Sequence, residues 1–334
     1  MAGNYPTAML HGLGRFGLHW LRAWLDRPES GVRLIAIQDV HHSLASALRM
    51  LQGEAKPSFA DCAIRAEDNC LCILKRGRKA LRIPYWHGPA MTSPWLGQAD
   101  WWLECSGAFS NGVASRPFLL GRTRRVIVSA TCPGADQTLV FGHNDTTFDH
   151  AAGVLSYGSC TVNAFVPLAA WLHAEYGVVD AEVGVIHNVP AYKLSTHAHP
   201  QRRACTLEAE GPRLLPFLLP ERFRVDYVLI PYTGVSLIDF RFDLARAVDE
   251  ALLLDALEHA CVAGPLQGLY ALDARDAAPP AYAMRAESAV LLRQRARLRA
   301  RLRGGRLVLP ACFDNENSAT RYLDLLESLV LQGA

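Results

Sequence analysis

The sequence predicts a two-domain chain, an α/β domain followed by an α+β domain, and three observations carry that prediction. Strands and helices alternate through the first half, the pattern of a parallel, doubly wound sheet. A Gly-x-Gly-x-x-Gly run, Gly12-Leu13-Gly14-Arg15-Phe16-Gly17, stands between the first strand and the first helix. From Val179 onward strands follow one another with few helices between them, which predicts an antiparallel sheet. At 334 residues the chain is long enough for two separate cores.

Taken in order, Thr7 to His11 is a short strand, and Leu18 to Leu25 is the helix beyond the glycines. In that setting Gly12 allows a tight turn, Gly14 lets backbone approach a pyrophosphate, and Gly17 permits close helix–strand packing. Arg15 and Phe16 complete the loop, so the run predicts a dinucleotide site. The next strand, Val32 to Ile37, ends at Gln38-Asp39. A carboxylate there accepts hydrogen bonds from a ribose and repels a 2′-phosphate, which predicts NAD over NADP. Leu44 to Leu51 reads as a helix. Cys70 to Leu74 and Leu81 to Pro84 read as a hairpin around a solvated turn, Lys75-Arg76-Gly77-Arg78-Lys79. Asp100 to Phe109 contains a strand whose paired tryptophans read as core. Glu104, Ser106 and Gly107 fall at its carboxyl end, where open parallel sheets take ligands. Arg124 to Ala130, which includes Ser129, and Leu139 to Asp145 read as further strands.

The chemistry centres on Ser156-Tyr157-Gly158-Ser159-Cys160-Thr161-Val162-Asn163. A small-residue turn opens there onto an amphipathic helix, Ala164 to His173, and presents Cys160 near the helix start. Backbone N–H groups at a helix start stabilise an anion, the setting that makes a thiol nucleophilic. A free cysteine is otherwise commonly a small buried hydrophobe. His187, at the end of the strand-like run Ala181 to Ile186, supplies the base that a nucleophile needs.

Ser159-Cys160-Thr161-Val162-Asn163, the helix, the strand and His187 resemble the active-site signature of the glyceraldehyde-3-phosphate dehydrogenase family, spacing included. The glycine loop, the Glu104–Gly107 stretch and Asp314-Asn315-Glu316 extend the resemblance over nearly the whole chain. The resemblance implies a Rossmann NAD-binding domain over 1–158 and a catalytic domain over 159–312, with a C-terminal helix, 313–334, that packs back on the first. It implies Cys160 as the nucleophile and His187 as its base. It implies cofactor contacts from Gly12, Gly14, Arg15, Phe16, Gly17, Asp39, Ser106, Gly107, Ser129 and Asn315, the last to the nicotinamide amide. Ser159 and Thr161 match the site of the attacking inorganic phosphate. Oxidation of a phosphorylated sugar aldehyde through a thioester follows, in a cytoplasmic dimer or tetramer.

The chain departs from the family where substrate phosphate binds. The Thr-x-Thr after the histidine is Pro190-Ala191-Tyr192, and the later Ser-Thr-Gly turn has no counterpart in the sequence. The strand that carries the family's phosphate-binding arginine reads Leu229-Ile230-Pro231-Tyr232. His11 stands where the family has Asn. The stretch His197 to Arg203 is more similar to erythrose-4-phosphate dehydrogenases, and Arg202 and Arg203 are the candidate replacement cations. An unphosphorylated aldehyde substrate, or a non-catalytic NAD-binding role, are the alternatives that these losses leave open.

Arg293 to Arg306 alternates with period 2 and carries Gly304-Gly305, so it reads as a hairpin with an arginine face. Such a row of like charges faces solvent, an acidic partner or an anion. The net charge of +2 gives no global reason to expect nucleic acid. The first six residues show no basic region followed by an apolar core, and no apolar run approaches the roughly 20 residues of a membrane span. Nine cysteines without a framework spacing predict reduced thiols and no metal site.

Overall fold

A computed structural model of the chain describes residues 5–53, 57–189, 193–275, 277–300 and 304–333. The chain divides into two compact units, Met1–Gly158 with Tyr322–Ala334, and Ser159–Arg321. The second division, expected at 312/313, thus falls at 321/322, within the last helix.

The strands of the first unit are β1 (Thr7–His11), β2 (Arg33–Asp39), β3 (Cys62–Glu67), β4 (Cys70–Lys75), β5 (Leu81–His87), β6 (Trp101–Glu104), β7 (Arg125–Val128), β8 (Gln137–Thr138) and β9 (Val154–Ser156). Its helices are α1 (Arg15–Asp26), α2 (Leu44–Gln52) and α3 (Gly112–Ser115). Among the described residues the sheet order is β3-β4-β5-β2-β1-β6-β7-β9-β8. Pairing is parallel from β5 to β8 and antiparallel through β3, β4 and β5. β1 lies between β2 and β6, so the chain order reverses at its carboxyl end, where such sheets bind ligands. Met9, Trp102, Phe118, Val126, Val128 and Val154 form a core beneath.

Two expectations for this unit need correction. Leu139 to Asp145 is not a strand. Val140 N donates to Asn144 Oδ1 at 2.7 Å and Gly142 N to Asp145 Oδ1 at 2.8 Å. These side chains capture the backbone into a turn, with Gly142 at φ +78°. The charged turn after β4 is not merely solvated either. Lys75 Nζ lies 3.4 Å from the Leu25 carbonyl, and Arg78 donates to the Asp26 carbonyl at 3.0 Å. Both satisfy carbonyls at the α1 C-terminus, where cations are favoured.

The second unit holds α4 (Cys160–Tyr176), β10 (Val178–His187), β11 (Gln201–Arg202), α5 (Thr206–Leu214), β12 (Phe223–Leu229), β13 (Ser236–Leu244), α6 (Glu250–Ala263), β14 (Tyr270–Asp273), β15 (Ala289–Leu292), β16 (Arg297–Ala300), β17 (Gly305–Phe313) and the start of α7 (Asn315–Leu331). Its sheet runs β11-β12-β10-β13-β17-β15-β14, with β16 also on β17. The sheet is largely antiparallel, as expected, but β10 pairs with β12 and β14 with β15 in parallel.

Helix α4 is not amphipathic. Val162, Ala164, Phe165, Val166, Leu168, Ala169 and Leu172 all lack exposed surface, so the helix is enclosed from Thr161 to Ala169 and is exposed only near its end, at Ala174 and Glu175. Its Phe165 stacks against Phe223 and Phe242. Pro167 lies inside this helix and cannot donate to the carbonyl of Asn163. The Tyr270 hydroxyl compensates: it donates toward the Asn163 and Ala164 carbonyls at 3.3 and 2.9 Å and accepts from Leu168 N at 3.2 Å.

The expected arginine hairpin is borne out only from Arg297 on, because Arg293–Arg295 form a short 3-10 turn ahead of β16. Arg297, Leu298, Arg299 and Ala300 pair with Val308, Leu307, Arg306 and Gly305. Gly305 is therefore in the strand and not in a Gly304-Gly305 turn, and 301–303 lie outside the described residues. Acidic partners meet part of the charge: Arg293 bonds Asp255 and Glu258, and Arg306 bonds Glu182 and Asp243.

The end of α7 belongs to the first unit. The Tyr322 hydroxyl donates to the Ile127 carbonyl at 2.6 Å, and Arg27 pairs with Asp324 and, at 3.0 Å, with Glu327.

Candidate active site

The helix start that carries Cys160 is fixed by its neighbours. Ser159 is the N-cap of α4, and its Oγ accepts from Val162 N at 3.3 Å. The Asn163 side chain donates back to the Ser159 carbonyl at 3.0 Å. Cys160 is thus held as the first residue of a 17-residue helix, half-buried, with its thiol toward a cavity.

His187, the last residue of β10, faces it, with Cys160 Sγ and His187 Nε2 3.5 Å apart. His187 Nδ1 lies 2.8 Å from the Asn188 carbonyl. A carbonyl only accepts, so Nδ1 carries the proton and Nε2 presents its lone pair to the thiol. The imidazole is therefore set as a base. Asn188 is itself clamped, with its N donating to Ser236 Oγ at 3.1 Å and its side chain donating to the Gly234 carbonyl and, at 3.3 Å, to Asp314 Oδ1. Tyr227 lies against the His187 ring, centroids 5.6 Å apart. Burial pushes the Tyr227 hydroxyl well up, reinforced by the Cys160 and Cys205 thiols, so it stays a neutral donor.

The cavity has a volume of about 380 Å³. Ser159, Thr161 and Thr206 bring hydroxyls to it, and Cys205 joins them. Ser159 Oγ lies 3.0 Å from Thr161 Oγ1 and 3.4 Å from Thr206 Oγ1, and Thr161 Oγ1 is 3.5 Å from Cys205 Sγ. The sequence shows no counterpart of the Ser-Thr-Gly turn, yet Cys205-Thr206 at the start of α5 brings a hydroxyl and a helix N-terminus to Ser159.

Of the two candidate cations, only Arg203 lines the cavity. Arg202, the last residue of β11, points elsewhere, to 3.7 Å from the Asp226 carboxylate. Lys193 and His197 line the cavity as well. The residues that replace the family's Thr-x-Thr, Pro190, Ala191 and Tyr192, lie outside the described residues. Leu229 occupies the arginine's strand and closes the cavity wall.

In the first unit the glycine loop fits a dinucleotide. Gly12 has φ +94°, and a Cβ there would stand 2.5 Å from Ser106 N. A Cβ at Gly17 would stand 2.0 Å from the Gly12 carbonyl oxygen. Gly14, the N-cap of α1, has no side chain to cap the helix, and nothing lies within 4 Å of where its Cβ would be. An open helix start without an acidic first turn suits an anion such as a pyrophosphate. Asp39 ends β2 as expected and accepts from Leu13 N, His41 N and His42 N, each at 2.7 Å. These bonds orient the carboxylate and leave acceptor capacity on Oδ2 for a hydroxyl.

The Ser106 amide and Gly107 amide donate to Glu104 Oε1 at 2.9 and 3.1 Å, and the other carboxylate oxygen of Glu104 meets His11 Nδ1. His11 and Glu104 are both buried. His11 thus holds the carboxylate that shapes the Ser106-Gly107 loop. Ser129 follows the end of β7 and donates its N–H to the Glu104 carbonyl at 3.0 Å. Arg15 begins α1, while the Phe16 ring turns to Tyr157 and Tyr322 and serves packing. Asn315 begins α7; its side chain lies outside the described residues.

No family model matches the chain. A glyceraldehyde-3-phosphate dehydrogenase of Mycobacterium leprae, however, is 30% identical over 283 residues, 78% of this chain and 80% of that one. The chain belongs to the glyceraldehyde-3-phosphate dehydrogenase family. Enzymes of the same name from Kitasatospora aureofaciens and Cereibacter sphaeroides are 30% and 29% identical, with the same shares covered. The chain is accordingly an oxidoreductase of the NAD-dependent dehydrogenase type. No described helix is long and apolar enough to cross a membrane, and no described His, Cys, Asp and Glu side chains cluster as a metal site would require.

Sequence reasoning missed Asn188, Ser236, Lys193, Cys205, Thr206 and Tyr227. Only Tyr227 carried a signal, since it stands two residues before Leu229 and so shares its strand face.

Proposed function

We propose that the chain oxidises a phosphorylated sugar aldehyde through a thioester on Cys160. The observation that carries this reading is the 3.5 Å approach of Cys160 Sγ to His187 Nε2, with the tautomer fixed by the Asn188 carbonyl. His187 takes the thiol proton, and the sulfur adds to the aldehyde carbon. The carbonyl oxygen takes the proton back from His187, giving a hemithioacetal. NAD, when bound, supplies the hydride acceptor. As hydride leaves the carbon, His187 again takes the hydroxyl proton, and the carbon becomes a thioester carbonyl. Amides at the α4 start, with Ser159 or Thr161, stabilise the oxyanion. Inorganic phosphate, held by the Ser159, Thr161 and Thr206 hydroxyls, then attacks the thioester and releases the thiol. The chain is expected to work in the cytoplasm as a dimer or tetramer, which sedimentation would check.

One observation favours a second reading. Leu229 and Tyr227 give the strand side of the cavity no charge, which suits an unphosphorylated aldehyde. NADH formation decides between them, measured on erythrose 4-phosphate, glyceraldehyde 3-phosphate and unphosphorylated aldehydes, with and without phosphate. Phosphate-dependent turnover of a phosphosugar, lost in Cys160→Ser, is the expected result. Turnover of neutral aldehydes alone would establish the second reading, and turnover that survives in Cys160→Ser would sink both.

A further inference from the structure

The strand side and the loop side of the cavity differ in charge. Strand β12 presents Tyr227 and Leu229, while the 193–203 segment presents Lys193, His197 and Arg203. No Asp or Glu is among the described residues that line it. A cavity lined by cations and no carboxylate attracts anions into it.

Local structure groups these side chains. Thr196 N and His197 N donate to the Lys193 carbonyl at 3.1 and 3.0 Å, a single helical turn. Residues four apart on such a turn lie on one side, which sets Lys193 beside His197. His197 Nδ1 is engaged within the turn, 3.0 Å from Thr196 Oγ1, so Nε2 is the ring nitrogen presented to a ligand. Arg203 is fixed from the other direction. Its N–H donates to the Tyr227 carbonyl at 3.1 Å, and its guanidinium donates to Gln201 Oε1 at 2.6 Å. The strand is thus tied to the cation beside it.

We propose that Lys193, His197 and Arg203 bind the anionic end of the substrate, a phosphate monoester or a carboxylate. Recognition of that end has moved from the sheet strand, where Leu229 now stands, to the 193–203 loop. The inference rests on the aldehyde-oxidising reading only for the identity of the substrate's other end.

The test is calorimetric titration with glycerol 3-phosphate, glycerate and glycerol, none of which can be turned over as an aldehyde. Wild type is expected to bind one of the two anions and not glycerol, and the tighter anion identifies the group. Lys193→Gln and Arg203→Gln should each weaken that binding about tenfold, the effect of one lost charge-assisted contact. Both side chains are exposed, so neither change disturbs a core. Arg202→Gln, which alters a cation facing away, should bind as wild type. Equal binding of glycerol and the anions, no binding of either anion, or variants that bind as wild type would each overturn the assignment. Anion binding that depends on Lys193 and Arg203, in a protein that oxidises no aldehyde, would uphold this site while sinking the proposed reaction. Turnover lost in Cys160→Ser but indifferent to Lys193→Gln and Arg203→Gln would do the reverse.

Discussion

Cys160 and Cys205 line one cavity, and their surroundings set them apart. Cys160 meets a histidine lone pair at a helix start, whereas burial pushes the Cys205 thiol up. Cys261, also buried, is pushed up to about 12. A raised pKa leaves less thiolate at neutral pH, and thiolate is the form that is alkylated. Iodoacetamide at pH 7 should therefore label Cys160 first, with Cys205 and Cys261 lagging, as peptide mass spectrometry would read. Equal labelling of Cys160 and Cys205 would mean that His187 does not activate the thiol. Cys160 and His187 were legible in the sequence because each sits at the end of a periodic element. Lys193 and His197 stand in a loop without a period, so nothing in the sequence tied them to the thiol. Arg202 and Arg203 were legible as a pair, but which of them lines the cavity depends on where the short strand β11 ends.

Helix α5 shows where element-level reading fails. Nine residues that include Gly211 and Pro212 contradict helix propensity, so the segment passes for a loop. The glycine is there for contact: a Cβ would lie 2.7 Å from the Phe223 ring. Missing the helix hid the N-terminus that brings Thr206 to Ser159. Helix α4 was legible from its motif, but the full burial of 161–169 was not, since a proline and a polar start interrupt the apolar pattern. Tyr270 is what makes Pro167 tolerable there. Tyr270→Phe keeps the ring and removes the hydroxyl, leaving buried carbonyls short of a donor. The expected cost is about 1–3 kcal/mol, read as a lower denaturant midpoint with an unchanged slope. An unchanged midpoint would mean that the helix satisfies the Pro167 gap without Tyr270.

The change from alternating strands and helices to successive strands predicts two units, whereas the return of the last helix to the first unit was expected only from the family resemblance. What the sequence did not reveal is how far along that helix the return begins, because its apolar residues are periodic throughout. Tyr322 to Ala334 belongs to the first unit, and Leu323, Leu325, Leu326 and Leu329 have no exposed surface. Burying four leucines contributes about 6–12 kcal/mol at about 1.5–3 each. That rivals the roughly 5–15 kcal/mol that holds a whole domain together. A chain ending at Arg321 should therefore lose its first unit, and the tryptophans report it. Six of the seven, Trp20, Trp24, Trp86, Trp95, Trp101 and Trp102, stand in that unit, and only Trp171 stands in the other. Emission from the shortened chain should shift to that of unfolded protein, and NAD binding should disappear with it. Arg27→Gln, which removes one cation beside Asp324 and Glu327, should leave both signals in place, because breaking even a buried ion pair costs about 3–5 kcal/mol, less than four buried leucines contribute. Native emission with NAD still bound in the shortened chain would show that the nine-stranded sheet closes its core without the final helix.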